Sequence, residues 1–350
     1  MLFDAFAGPL RVCDLPDPTP SPHGVVVRVT ATGLCRSDWH GWLGHDPDVT
    51  LPHVPGHELA GQVEAVGSAV IRWAAGDRVT VPFVCACGTC PSCAAGQQQV
   101  CERQTQPGFT GWGSFAELVA LDHADVNLVA LPDAVSDVSA AALGCRLGTA
   151  YRAVLTQGRV RPGQWVAVHG CGGVGLSVVL VGVAAGARVV AVDVSAAALD
   201  LAASLGAEVV VDGRDGDSAE TVREVSSGGV HVSIDALGSP QTFAASVRSL
   251  RRRGRHVQVG LLPVELGDPS IAMTRVIAHE LEIVGSHGMP AHDYDTLLGM
   301  VTSGRLRPDL LVSRVVPLDR LVDELPAMGR PGFPAGITVA RPGESSPRNR

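Results

Sequence analysis

The plainest chemistry in this sequence belongs to four thiols, Cys87, Cys90, Cys93 and Cys101, separated by two, two and seven residues. Thiolates at that spacing wrap a tetrahedral Zn²⁺ within one short loop, and four protein ligands leave no open position, so this lobe reads as a closed structural zinc site. A second set of soft ligands is dispersed. Cys35 lies in Gly33-Leu34-Cys35-Arg36-Ser37-Asp38-Trp39-His40, His57 in Pro55-Gly56-His57-Glu58, and Cys145 in Leu143-Gly144-Cys145-Arg146. Taken singly, each has an ordinary explanation, since a buried cysteine is usually a small apolar filler and a lone histidine a satisfied core or surface residue. Catalytic zinc needs three protein ligands and an open position, and the joint occurrence of two thiols and an imidazole makes these three candidates for it.

Further along comes Gly170-Cys171-Gly172-Gly173-Val174-Gly175. It follows an apolar stretch, opens a helical one, and precedes Asp193 at the end of the next apolar stretch by about 20 residues. That context makes the glycines a dinucleotide fingerprint. Gly170 serves the tight turn, Gly172 lets backbone approach a pyrophosphate at the helix N-terminus, and Gly175 lets helix and strand pack closely, with Gly173 and Val174 opening the helix. Asp193 is expected to hold the adenosine ribose hydroxyls. Its charge repels a 2′-phosphate and Val194-Ser195-Ala196 offers no cation, so NAD is expected in preference to NADP.

Two kinds of scaffold must position these groups. Residues 1–146 are rich in Val, Gly and Pro, with short alternating pieces at 25–29 and 78–81, which reads as a β-rich domain of hairpins and long loops. From Tyr151 to about 285, apolar strands at 166–169, 189–192, 209–211, 232–235 and 256–259 alternate with helical stretches such as 174–185 and 196–205. That order implies a doubly wound parallel sheet, hence an α/β fold. The remainder, from Ser286, has one expected helix at 294–303 and a β-like ending, and is expected to pack back onto the first domain. The tail 341–350 is expected to be disordered. The run 165–187 carries no Asp, Glu or Arg and is long enough for a membrane span, but the glycines of 170–175 split it into strand, turn and helix.

Composition narrows the partners. With 350 residues, 46% of them hydrophobic, the chain is long enough for two domains with separate cores. All 27 basic residues are arginine, which excludes Schiff-base chemistry on lysine, and the net charge of -8 repels nucleic-acid phosphates and anionic membranes. The only basic cluster is Arg251-Arg252-Arg253, so a zinc-finger module for nucleic acid is disfavoured. Nine cysteines after a start, Met1-Leu2-Phe3-Asp4, that does not resemble a secretory leader point to a reducing compartment, the cytoplasm, where thiols bind metal.

The order of these motifs, Gly-Leu-Cys-Arg-Ser-Asp, Gly-His-Glu-Leu-Ala-Gly, the four-cysteine lobe, Gly144-Cys145 and the glycine fingerprint, resembles the zinc-dependent alcohol dehydrogenases of the medium-chain dehydrogenase/reductase superfamily. The resemblance covers about residues 8–340. It implies a GroES-like catalytic domain in two pieces, 1–146 and 287–350, flanking a Rossmann NAD-binding domain at 147–286. It also implies two zinc ions per chain, one catalytic on Cys35, His57 and Cys145, and one structural on Cys87, Cys90, Cys93 and Cys101. Glu58 would be a nearby or transient ligand and Asp38 a partner of the zinc histidine. Ser37 would be the first hydroxyl of a proton relay and His40 its solvent-side base, with the cofactor ribose between them; Arg36 would contact the cofactor pyrophosphate. Trp42, Phe83, Phe109 and Leu261 fall near positions that line the alcohol pocket, with Thr110, Trp112 and His287 adding polarity. The resemblance assigns nothing to Cys13, Cys85 or Cys171, and Cys85, two residues before Cys87, leaves a register ambiguity in the lobe.

The expected activity is hydride transfer between an alcohol and NAD, with the alcohol acidified, or the carbonyl polarised, by zinc acting as a Lewis acid. A polyol or specialised biosynthetic dehydrogenase of the same superfamily is the alternative. The same resemblance implies a homotetramer, with a dimer second, joined through the Rossmann sheet.

Overall fold

The computed structural model describes residues 1–262, 267, 269–330 and 332–343. The end of the tail, 344–350, lies outside the described residues. Two compact units are formed, one from Met1–Gly148, Gly288–Gly304 and Val312–Arg350, the other from Thr149–His287 and Arg305–Leu311. The strands of the first unit are β1 (Val25–Leu34), β2 (Leu59–Val66), β3 (Arg78–Thr80), β4 (Leu118–Leu121) and β5 (Val129–Ala130). Those of the second are β6 (Trp165–His169), β7 (Arg188–Asp193), β8 (Val209–Asp212), β9 (Val230–Asp235), β10 (Leu250–Gln258) and β11 (Glu282–Gly285), after which β12 (Val312–Pro317) and β13 (Ile337–Arg341) return to the first.

In the first unit β1 is the hub. It pairs antiparallel with β2, β4 and β13, while β12 extends the sheet parallel to β13 and β3 and β5 extend it beyond β2. Val25, Val27 and Val29, at the alternate positions of β1, enter one core with Leu59, Val63, Val79 and Val119; the period of two places them on one face. The register Thr32↔Leu59 brings the end of β1 beside the start of β2, so residues near 35 and near 57 become neighbours. Gly33 N–H and Thr32 Oγ1 both donate to the Glu58 carbonyl at 2.9 Å and tie the two chain segments there. The ending that was expected to be merely β-like contains two strands and a helix, Leu321–Ala327, which has Pro326 inside it. Leu321 and Leu325 are fully buried in a core with Phe3, Leu34 and Phe115, so packing overrides the low helix propensity of proline.

The second unit is a parallel sheet in the order β11-β10-β9-β6-β7-β8, with helices such as Gly173–Ala184 and Ala196–Ser204 between its strands. β10 begins six positions earlier than its apolar stretch indicates, because it runs through exposed Arg251, Arg252 and Arg253. Arg255 is buried there but paired, donating to the Gln157 carbonyl at 2.8 Å and to Glu282. Among the described residues no helix is long and apolar enough to cross a membrane.

Candidate metal centres and dinucleotide loop

Cys35 directly follows β1 and caps the helix Arg36–Leu43. Its backbone N–H donates to Asp38 Oδ2 at 2.9 Å, three residues on, so the first helical turn fixes where Asp38 stands. The other oxygen of Asp38 accepts from the Gly56 N–H at 3.1 Å and from His57 Nδ1 at 2.8 Å. Because an ionised carboxylate only accepts, Nδ1 carries a proton and Nε2 is aimed away. That Nε2 is buried with no hydrogen-bond partner. Beside it stand the sulfurs of Cys35 and Cys145, and one ligand atom from each of the three residues lies within 4.8 Å of the others.

Cys145 reaches this place from a π-helical turn, Leu143–Leu147. The turn is held by Phe83 N–H, which donates to the Gly144 carbonyl at 2.9 Å, and by the buried Tyr294 hydroxyl, which donates to Leu143 and Gly144 carbonyls at 3.1 and 3.3 Å. A side chain at 144 is excluded, since a Cβ would sit 2.6 Å from the Val81 carbonyl.

Electrostatics of the set favour a cation. The hydrogen bond from Cys145 holds the Cys35 thiol well below its ordinary range, and that same bond together with burial pushes Cys145 well above it. Burial opposes charge on His57, but the Asp38 carboxylate and Cys35 outweigh it and hold its pKa well above the ordinary value. A basic Nε2 next to a thiolate is a proton site that a metal competes for, because both bind the same lone pair. The donors and the orphaned Nε2 therefore fit Zn²⁺ with one position left open.

Cys87, Cys90, Cys93 and Cys101 also converge, their sulfurs lying within 4.8 Å of one another. None of them is in a disulfide. Backbone donors already point at the sulfurs: Cys87 and Arg103 N–H to Cys101 Sγ at 3.3 Å, and Thr89 N–H to Cys87 Sγ at 3.5 Å; the Thr89 bond is the main cause that holds the Cys87 thiol down to about 5. The lobe is anchored by Asn127, whose side chain accepts from Ala86 N–H at 2.7 Å and donates to the Ala86 carbonyl at 2.9 Å. Cys85 is not in the set. It packs in the β1–β2 core, and burial pushes its thiol up to about 12, where it remains neutral, so the register ambiguity resolves in favour of Cys87.

The dinucleotide loop stands in the second unit. Gly170 has φ +90°, and a Cβ there would lie 2.8 Å from Leu237 Cβ. A Cβ on Gly175 would lie 1.8 Å from the Gly170 carbonyl, whereas one on Gly172 would enter open space. Gly172 caps the helix Gly173–Ala184, so the open space adjoins the N-terminus of that helix, an end that favours negative charge. Asp193, at the end of β7, accepts from Cys171 N–H at 2.6 Å and from Ser195 N–H at 2.8 Å, and so ties the glycine turn to the neighbouring strand. Cys171 is buried with its sulfur 3.8 Å from the Val192 carbonyl, which makes it a packing residue. Cys13 is exposed.

The other expected site residues divide. Phe109 and Phe83 flank His57, with ring centroids 5.2 and 6.3 Å away. Trp42 donates to the Gly8 carbonyl at 2.9 Å and packs in the core around Phe3; Leu261 belongs to the second unit and is 79% exposed. Thr110 bonds within its own turn, to Gln106, and Trp112 is exposed and donates to Pro52; His287 belongs to the second unit. Arg36 stacks on Trp39, 4.4 Å from the ring centroid, and donates to the Met328 carbonyl. Ser37 lies next to the metal set, its Oγ 3.9 Å from Cys35 Sγ. His40 Nδ1 is 2.9 Å from His45 Nδ1, and burial, with Arg36 and His45, lowers the pKa of His40. Glu58 stands outside the three-ligand set, with both oxygens engaged by Arg146. Tyr294 and Arg146 escape a reading of the sequence alone, because nothing in their local motifs marks contacts made across the fold; His45 escapes it because no motif marks its contact with His40, five residues away. A groove of about 1190 Å³ on the first unit, lined by Asp14, Trp112 and Glu117 among others, includes none of the three ligands.

Comparison with known proteins gives a consistent picture. Residues 21–133 match the family model of the alcohol dehydrogenase GroES-like domain, and residues 173–303 that of the zinc-binding dehydrogenases. The chain is 36% identical over 324 residues to an alcohol dehydrogenase of Geobacillus stearothermophilus, covering 91% of this chain and 93% of that one. It is 30% identical over 323 residues to an NAD-dependent alcohol dehydrogenase of Sulfurisphaera tokodaii, covering 89% and 90%. Among solved structures, an alcohol dehydrogenase from Thermus sp. ATN1 superposes with a TM-score of 0.87 at 32% identity, covering 97% of this chain and 99% of that chain.

Proposed function

The chain belongs to the zinc-dependent alcohol dehydrogenases of the medium-chain dehydrogenase/reductase superfamily, and from that membership we propose which of its residues carry the reaction. The protein is an NAD-dependent oxidoreductase acting on CH–OH groups, and its substrates are small alcohols and the corresponding aldehydes or ketones. One observation carries the assignment of its centre: Cys35, His57 and Cys145 converge within 4.8 Å around a buried imidazole nitrogen that has no other partner.

Cys35, His57 and Cys145 hold the catalytic zinc, and Cys87, Cys90, Cys93 and Cys101 the structural one. When bound, zinc supplies Lewis acidity toward the substrate oxygen and NAD supplies the hydride acceptor. The chain does the rest. Asp38 orients His57 and keeps its Nε2 available. Phe83 and Phe109 make the surroundings of His57 apolar, which strengthens every charge interaction at the site and favours a non-ionic substrate. The hydroxyl of Ser37 receives the proton released by the alcohol, and His40 passes it to solvent; its lowered pKa keeps His40 neutral, and so able to accept, at pH 7. His45, 2.9 Å from His40, gives that proton a second imidazole at the surface. Gly170, Gly172, Gly173, Val174 and Gly175 cradle the cofactor pyrophosphate, Asp193 offers the remaining lone pairs of its carboxylate to ribose hydroxyls, and Arg36 adds a cation for the phosphates.

The chain acts as a homotetramer, with a dimer the next choice, in the cytoplasm. The unpaired outer edge of β11, among the described residues, supports association through the parallel sheet. Light scattering of the purified protein tests the assembly, and a solely monomeric species would refute it. The reaction itself is tested by NAD reduction with a panel of primary, secondary and aromatic alcohols. Turnover of polyols alone would favour the specialised alternative.

A further inference from the structure

Each of the three catalytic ligands arrives on a different segment of chain, and one buried arginine on the third segment bonds the other two. Arg146, which follows Cys145, is 4% exposed, and Glu58, which follows His57, is 0% exposed. Nη1 of Arg146 donates to the carbonyl of Leu34, the residue before Cys35, at 2.9 Å. Its Nη2 donates to Glu58 Oε2, and its own backbone N–H donates to Glu58 Oε1 at 2.8 Å. The guanidinium fork and the backbone next to Cys145 thus bond residue 34 and residue 58, partners 112 and 88 positions away in sequence. Room for the fork comes from Gly33, where a Cβ would stand 2.6 Å from both Arg146 Nη2 and Glu58 Oε2.

We propose that Arg146 is a positioning residue for the catalytic zinc: paired with Glu58, it clamps the segments bearing Cys35, His57 and Cys145 into ligating register before metal binds. The inference rests on the reading of those three residues as the catalytic zinc ligands. It follows from geometry, because the carbonyl and the carboxylate are held by two separate nitrogens of one rigid planar group, whereas a lysine directs all its donors from one nitrogen on a flexible stem. It also explains why a charged pair is kept where it is wholly desolvated: holding both Glu58 oxygens keeps the carboxylate out of the three-ligand set.

Zinc affinity is the readout, measured by equilibrium competition with a chromogenic chelator on the full chain. The variants are Arg146→Lys and the double variant Glu58→Met/Arg146→Met, which removes both charges and so leaves no buried charge unpaired. Outer partners of metal ligands typically contribute about 10–100-fold in metal affinity. The expected result is a loss of that size for one zinc per chain in the double variant, a smaller loss in Arg146→Lys, and unchanged affinity for the other zinc. Wild-type affinity of both zinc ions in the double variant overturns the clamp. Should the double variant not fold, wild-type affinity in Arg146→Lys overturns it equally. The control Cys145→Ala separates the two readings: if it still binds two zinc ions, the ligand assignment has failed, whatever Arg146 does.

Discussion

The two clusters of soft ligands are built in opposite ways. The four thiols of the lobe come from fifteen consecutive residues, Cys87 to Cys101, and their sulfurs are met by N–H groups of the same loop. The other set draws Cys35 from the end of β1, His57 from the start of β2 and Cys145 from a distant π-helical turn, and each is oriented by a group outside the set, Asp38 or the Arg146–Glu58 pair. A local loop closes cheaply but has little structure of its own without metal, so its zinc is part of its folding. A set assembled by the sheet has its shape before metal arrives, so its zinc is free to serve chemistry.

That contrast is broken most directly by deleting one ligand from each set. Cys90→Ala should collapse the lobe, with a large fall in melting temperature or insoluble protein, since zinc binding to such loops is worth about 10–16 kcal/mol in zinc-finger peptides. Cys145→Ala should give a folded protein with wild-type circular dichroism and no detectable NAD reduction. Equal loss of fold in the two would erase the distinction. A step smaller is Asp38→Ala, which should weaken one zinc about 10–100-fold and leave the lobe's zinc untouched; chelator titration reads this directly.

The cofactor loop repeats the contrast, with a local glycine turn and an acid that arrives from β7. Asp193→Ala should raise the KM for NAD at least about tenfold while improving use of NADP, since a charged hydrogen bond is lost and a phosphate is no longer repelled. The effect should appear in KM more than in kcat, because Asp193 is remote from the reacting carbon. Wild-type enzyme that prefers NADPH would place phosphate recognition on some other residue, such as Arg214. The smallest effect is expected at His40. Burial lowers its pKa, so the rate of alcohol oxidation should rise as pH increases through a value below the ordinary histidine pKa of about 6.5, as a base loses its proton. His40→Ala should remove that step and slow oxidation several-fold at pH 7, with the difference shrinking at high pH, where solvent accepts the proton; an unchanged pH profile would remove His40 from the relay.

Spacing made the lobe and the glycine turn legible, because in both the chemistry lies within a few consecutive residues. Strands β6, β7 and β9 were legible as apolar runs, whereas β10 hid its start behind Arg251, Arg252 and Arg253, whose side chains face solvent. The helix Leu321–Ala327 was hidden by Pro326, a residue that argues against helix until the burial of Leu321 and Leu325 is known. Arg146 illustrates the deeper limit. Its type and neighbours mark nothing, and its role exists only once β1 and β2 have brought Leu34 and Glu58 within reach.

The central claim is that one chain carries two zinc ions of different kinds, and metal analysis of the purified protein by mass spectrometry tests it most directly. Wild type should hold two zinc ions per chain, and folded Cys145→Ala should hold one, with activity gone. A wild-type content of one or none, or an active Cys145→Ala enzyme, would contradict the account.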